Sequence, residues 1–156
     1  MLNRGDVGRV SAQAQDAMAA ADGELPGRFG FDRAELELHL AEASLLAGDH
    51  GLARRYASDS LGHIPHGRPG WAAAQLVMAR GEAGRNRSDD AAALAMEVLD
   101  VIPPNNLRAN SRERLTVLTG DLAAVDTPAV RELRERVVTF PPLAPVDHRS
   151  AEPNGR

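Results

Sequence analysis

Residues 34–65 read AELELHLAEASLLAGDHGLARRYASDSLGHIP, and the fold follows from this stretch. It reads as two helices folded back on each other across a tight turn at Gly48-Asp49. Asp32, just ahead of it, is a good N-cap, and Glu35 three residues later completes a capping-box-like pair. Leu36, Leu40, Ala43 and Ala47 recur at i, i+4, i+7 and i+11, which is one face of a helix. Leu38, Ala41 and Leu45 widen that face. The alternation from Leu36 to Leu40 would also suit a strand, but the apolar pattern runs on for further turns in residues that favour helix. Gly48 closes the helix. Asp49 starts the next one, whose stripe is Leu52, Ala53, Tyr56, Ala57, Leu61 and Ile64, and Pro65 stops it.

Outward from this hairpin the same unit recurs. Ala91, Ala95, Leu99 and Pro103 lie 38 residues after Ala53, Ala57, Leu61 and Pro65. A helix over 71–83, a polar turn at 84–87 and a helix from Ser88 or Asp89 to Ile102 make this second hairpin, 71–103. The Gly-Asp turn is replaced there by Asn86-Arg87. After the break at Pro103-Pro104, a helix from Asn110 or Ser111 to about Ala123 pairs with a last helix. Thr127 caps that helix and Pro128 opens it, giving a third hairpin over 110–140. On the other side, Gly5-Asp6 matches Gly48-Asp49, and Val10, Ala14 and Met18 match Ala53, Ala57 and Leu61. Residues 6–21 therefore read as the second helix of a repeat whose first helix is missing. Residues 141–156 are polar and proline-rich, and disorder is expected there.

The order Gly48-Asp49, Ala53, Ala57, Leu61, Pro65 resembles the second half of a tetratricopeptide repeat. Small residues at Ala53 and Ala57 let two helices approach closely. Glu37 and Ser44 depart from the pattern, standing where that repeat carries large residues. The resemblance implies an all-α chain of about seven helices, in antiparallel hairpins stacked into a right-handed superhelix with a concave face. A second resemblance covers roughly residues 5–140. FGFDRAELELHLAEASLLAGD, then VIPPNN, then PAVRELRERV, is similar to the tetratricopeptide-like C-terminal half of actinobacterial helix-turn-helix (Xre-type) transcriptional regulators. That likeness implies a sensory or partner-binding module without the DNA-binding half.

Bulk properties narrow the classes of function. A net charge of −4 points to neither nucleic acid nor an anionic membrane. The chain has no cysteine, so disulfides, thiolate metal sites and a cysteine nucleophile are excluded. It also has no lysine; every basic side chain is arginine or histidine. No apolar run approaches the roughly 20 residues that span a bilayer, and Asp6 and Asp16 interrupt any signal-peptide pattern. A cytoplasmic protein is the expectation.

No catalytic constellation is legible. His63 and His66 flank Pro65, which breaks the helix between them, so with His50 they read as turn histidines and not as metal ligands. Ser44, Ser58 and Ser60 lack the base and oxyanion hole that a nucleophile needs. Glycines are scattered through turns, with no phosphate loop. Arg131, Arg134 and Arg136 could suggest a recognition helix, but Glu132 and Glu135 interleave with them. No enzyme activity, cofactor or metal is expected.

The remaining surface is the concave groove, which the first helix of each pair lines in arrays of the resembled kind. By repeat register Arg33, Glu35, Leu38, Glu42, Leu45, Leu76 and Arg80 should face it, and a mixed apolar and charged lining suits a protein or peptide partner. Two readings follow. One is a non-catalytic interaction or ligand-sensing module belonging to a transcriptional regulator. The other is a stand-alone accessory scaffold that forms a homodimer through residues 6–21.

Overall fold

The computed structural model describes Arg9 and residues 32–142, and the latter are all-α. Six α-helices run in order: α1 Arg33–Leu46, α2 His50–Leu61, α3 Pro69–Gly84, α4 Ser88–Val101, α5 Ala109–Asp121 and α6 Pro128–Val138. A 3-10 turn, Pro104–Asn106, joins α4 to α5. The seventh expected helix, over 6–21, and most of the expected tail lie outside the described residues.

The helix boundaries have local causes. The Asp32 carboxylate accepts from the Ala34 amide at 3.3 Å, and the Asp49 carboxylate accepts from the Leu52 amide at 3.0 Å. Thr127 Oγ1 accepts from the Val130 amide at 3.3 Å, with Pro128 in the first turn. Gly48 sits beyond the end of α1 at φ +74°, and Asn86 beyond the end of α3 at φ 61°. The two are 38 residues apart. Both ends need the left-handed conformation, and glycine and asparagine are the residues that adopt it most cheaply. Three boundaries differ from the sequence expectation. Pro69 opens α3 from within what reads as a linker, because proline suits the first helical position. Arg87, and not Ser88 or Asp89, is the N-cap of α4. α5 begins at Ala109, and Gly120 lies inside it.

Each pair α1–α2 and α3–α4 is a close hairpin, and α5–α6 is a looser one. α3 packs against α1, α2, α4 and α5, and α4 against α6. First helices thus neighbour first helices. The 38-residue period also extends to a third copy, in Ala129, Leu133, Val137 and Pro141. Its alanines are where helices meet: Ala53, Ala57, Ala91 and Ala95 are all fully buried. Thr127 Oγ1 also donates to Asp89 Oδ1 at 2.6 Å, linking the starts of α6 and α4.

The main core joins α3 to α6 around Leu76, Val98, Leu115, Leu118 and Leu133. A second cluster, Leu40, Ala41, Tyr56, Ala57 and Val77, holds the first hairpin to α3. The buried face of α1 is turned from the leucine stripe. Ala34, Glu37, Leu40, Ala41 and Ser44 face inward, while Leu36, Leu38 and Leu45 are half-buried at the edges. Two serines satisfy themselves in this packing. Ser44 donates to the Leu40 carbonyl and Ser60 to the Ala34 carbonyl, each at 2.7 Å. The second bond pins the end of α2 to the start of α1. Among the described residues no helix is long and apolar enough to cross a membrane.

Candidate functional site

A surface groove of about 380 Å³ lies between α1, α3 and α5. Glu42, Leu45 and Leu46 come from α1, Val77 and Arg80 from α3, and Asn110, Glu113, Arg114 and Val117 from α5. Only first helices of hairpins line it. Val77, 2% exposed, ties its floor to the second core cluster. Leu46 is 89% exposed and Val117 39% exposed. An exposed leucine alone is ordinary, but two such side chains on one concavity make an apolar contact surface.

The charges of the groove are mostly paired across it. Arg114 of α5 donates to Glu42 of α1, a contact 72 residues apart in sequence. Arg80 of α3 donates to Asp121 of α5 at 2.8 Å. These pairs join three helices that belong to three different hairpins. Glu113 remains as an exposed carboxylate with no partner among the described residues. An adjoining hollow of about 250 Å³ shares Leu45 and Arg80 and adds His50, Gly84 and Asp121. There the His50 ring packs against Gly84, where a Cβ would overlap it. Its buried Nδ1 has no hydrogen-bond partner among the described residues.

Of the residues expected in the groove, Glu42, Leu45 and Arg80 line it together. Leu76 does not reach it. The residue is fully buried in the main core, because α3 is covered on nearly every side. Leu38 packs against the second core cluster. Arg33 and Glu35 sit at the other end of α1. Arg33 pairs with Glu37 at 3.2 Å, and Glu35 lies 3.9 Å from His39. The contribution of α5 is absent from the sequence reading, although Glu113-Arg114 and Val117 share a helical face.

A second polar centre also escapes the sequence reading. Glu82 of α3 is 4% exposed. It accepts from Arg54 of α2 and from Arg85 Nη1 at 3.4 Å, and it lies 3.3 Å from Arg87 Nε. The Arg87 guanidinium is held above its ordinary pKa, first by its bond to Asp90 and then by the charges of Asp90 and Glu82. Glutamate on a helix that is otherwise apolar nearly all round is the signal that could have found this clamp.

The histidines disperse. His63 Nε2 lies 3.7 Å from Glu37, whereas the His66 ring packs at a tilt of 52° against Trp71 and lies 3.5 Å from Glu97. Among the described residues no group of three or more metal-ligating side chains converges. The arginines of the last helix are engaged within the protein. Arg131 pairs with Asp126 and Arg136 with Asp100. Arg134 donates to the carbonyls of Leu122, Ala123 and Val125, closing the end of α5. Comparison with family models, with curated proteins and with solved structures gives no match.

Proposed function

We propose that this chain is a non-catalytic interaction module whose groove between α1, α3 and α5 receives an apolar segment of a protein partner. The observation that carries the reading is the pairing of exposed Leu46 and Val117 over a concave floor at Val77. Around them, Glu42–Arg114 and Arg80–Asp121 satisfy one another, so they add little attraction for a ligand and serve to hold the walls. Unpaired Glu113 favours a partner that brings a basic side chain beside its apolar ones.

The buried alanines at a 38-residue period and the row of first helices along the groove support a tetratricopeptide-like stacking, which would suit this reading. The wider reading, a cytoplasmic regulatory module of a helix-turn-helix transcriptional regulator, rests on the resemblance of residues 5–140. An in-frame DNA-binding region encoded upstream of Met1 is the observation that tests it.

Peptide display against the full chain tests the groove, with counter-selection on the Leu46→Arg, Val117→Asp variant. Enrichment of sequences with aliphatic residues at helical spacing and an adjacent Arg or Lys is expected, and binding should be lost on the variant. Selected peptides that bind the variant equally well would sink the proposal.

A further inference from the structure

The groove between α1, α3 and α5 has a direction. Its adjoining hollow is lined by Leu45 near the end of α1, by Ala83 and Gly84 at the end of α3, and by Asp121, the last residue of α5. The groove runs back from there to Asn110 and Glu113 near the start of α5. All three lining helices therefore run the same way, with their C-terminal ends gathered at the hollow. The carbonyls of a last turn carry the negative end of the helix dipole, and a basic side chain in that turn answers them. None of the three helices has one. Arg85, just beyond α3, is turned to Glu82. The start of α2 borders the hollow through His50, but its positive end is answered by the Asp49 carboxylate. Arg80 and Asp121 are paired with each other at 2.8 Å.

The other end of the groove is different. Glu113 is an exposed carboxylate with no partner among the described residues, and it lies near the start of α5, the positive end of that helix. Between the two ends stand the exposed Leu46 and Val117 over Val77. From Asn110 to Asp121 α5 rises about 16 Å, the length of about three turns of a docked helix.

We infer that the occupant of the groove is an amphipathic helix of a protein partner, lying antiparallel to α1, α3 and α5, with its first turn at the hollow and a basic side chain in its last turn against Glu113. It rests on the reading of the groove as a partner site, and it adds the partner's form and direction. Docked this way, the free amides and positive dipole end of the helix meet the three gathered C-terminal ends. An aliphatic stripe at i, i+3, i+4 and i+7 covers Leu46 and Val117. An arginine or lysine in the last turn answers the negative end of its own helix and Glu113 together. The parallel direction would instead set a fourth negative end among the three at the hollow.

The test uses the full chain and two capped, alanine-based peptides of about three helical turns, each with leucines at that spacing. One carries an arginine in its last turn, and the other a glutamine there. Amide shifts of the chain follow binding, and a nitroxide on either end of the arginine peptide reports direction by line broadening. The N-terminal label should broaden Gly84 and Asp121, and the C-terminal label Asn110 and Glu113. The arginine peptide should bind about threefold tighter than the glutamine peptide, the size of one exposed ion pair, and Glu113→Gln should bring the two to the same affinity. The reverse pattern of broadening, or equal broadening at both ends with either label, would overturn the inference; if binding is still lost on the Leu46→Arg, Val117→Asp variant, the groove itself stands as a partner site. An arginine advantage undiminished in Glu113→Gln would overturn the placement of the basic side chain. Binding that the Leu46→Arg, Val117→Asp variant leaves unchanged would overturn the groove as a partner site, and the docked helix with it. No binding of either peptide up to about 1 mM would overturn the docked helix alone, since the display selection decides the groove without it.

Discussion

Glu82→Gln is expected to destabilise the chain more than Glu82→Met, although glutamine is the closer isostere. The carboxylate is 4% exposed and faces Arg54, Arg85 and Arg87. Those side chains are 43%, 39% and 51% exposed. The desolvation cost therefore falls on the glutamate, while the arginines can return to water if their partner is lost. Glutamine keeps one carbonyl for Arg54 but turns an NH2 group toward the other two guanidiniums, donor against donor. Converting a charge-assisted bond to a neutral one costs about 1 kcal/mol, and a buried donor without an acceptor costs about 1–3 kcal/mol. About 2–3 kcal/mol is expected for Glu82→Gln. Methionine removes the buried polar group, keeps the volume and keeps the helix propensity. Apolar replacement of buried ionic groups is often near neutral, and exposed arginines contribute little through such pairs, so Glu82→Met should cost about 1 kcal/mol or less. Urea unfolding followed by far-ultraviolet circular dichroism, with the slope fitted separately for each variant, measures both values. The clamp joins α2 to α3, so Glu82→Gln should also lower the slope as the first hairpin uncouples from the second. A Met variant as unstable as the Gln variant would refute the reasoning, because the ion cluster would then be a net source of stability.

Two further expectations concern a turn and the groove. Gly48→Ala should cost about 1 kcal/mol, the price of a left-handed β-carbon, because φ is +74° and the added methyl meets nothing. Asn86→Gly, at the matching position, should stay within about 0.5 kcal/mol, and thermal midpoints compare the two. A double-mutant cycle on Glu42 and Arg114, whose side chains are 33% and 22% exposed, should give a coupling of about 0.5–1 kcal/mol that shrinks in about 0.5 M salt. A coupling well above that range would mean that the pair is closed to water and the groove is not open.

The hairpins were legible because their punctuation is chemical. Asp32, Asp49 and Thr127 accept from first-turn amides, Gly48 takes the left-handed turn, and Pro65 and Pro103 follow helices they cannot continue. The rotation of α1 was not legible. A hydropathy stripe weights Leu36, Leu38 and Leu45 above Ala34, Ala41 and Ser44. Close helix packing reverses that weighting, since the small side chains are the ones that fit between backbones. Glu37 and Ser44, which depart from the tetratricopeptide pattern, are buried on this same face.

For the site, periodicity on one helix fixes a face, but it does not say which neighbour covers that face. Glu42, Leu45 and Arg80 come together because α1 and α3 lie side by side. Leu76 stands one helical turn from Arg80 and is nonetheless sealed in the core, since α4 and α5 close over that side of α3. The helix α5 was expected, but its place in the groove was hidden by the break at Pro103-Pro104, which obscures its register. Asn110, Glu113, Arg114 and Val117 of that helix face the groove.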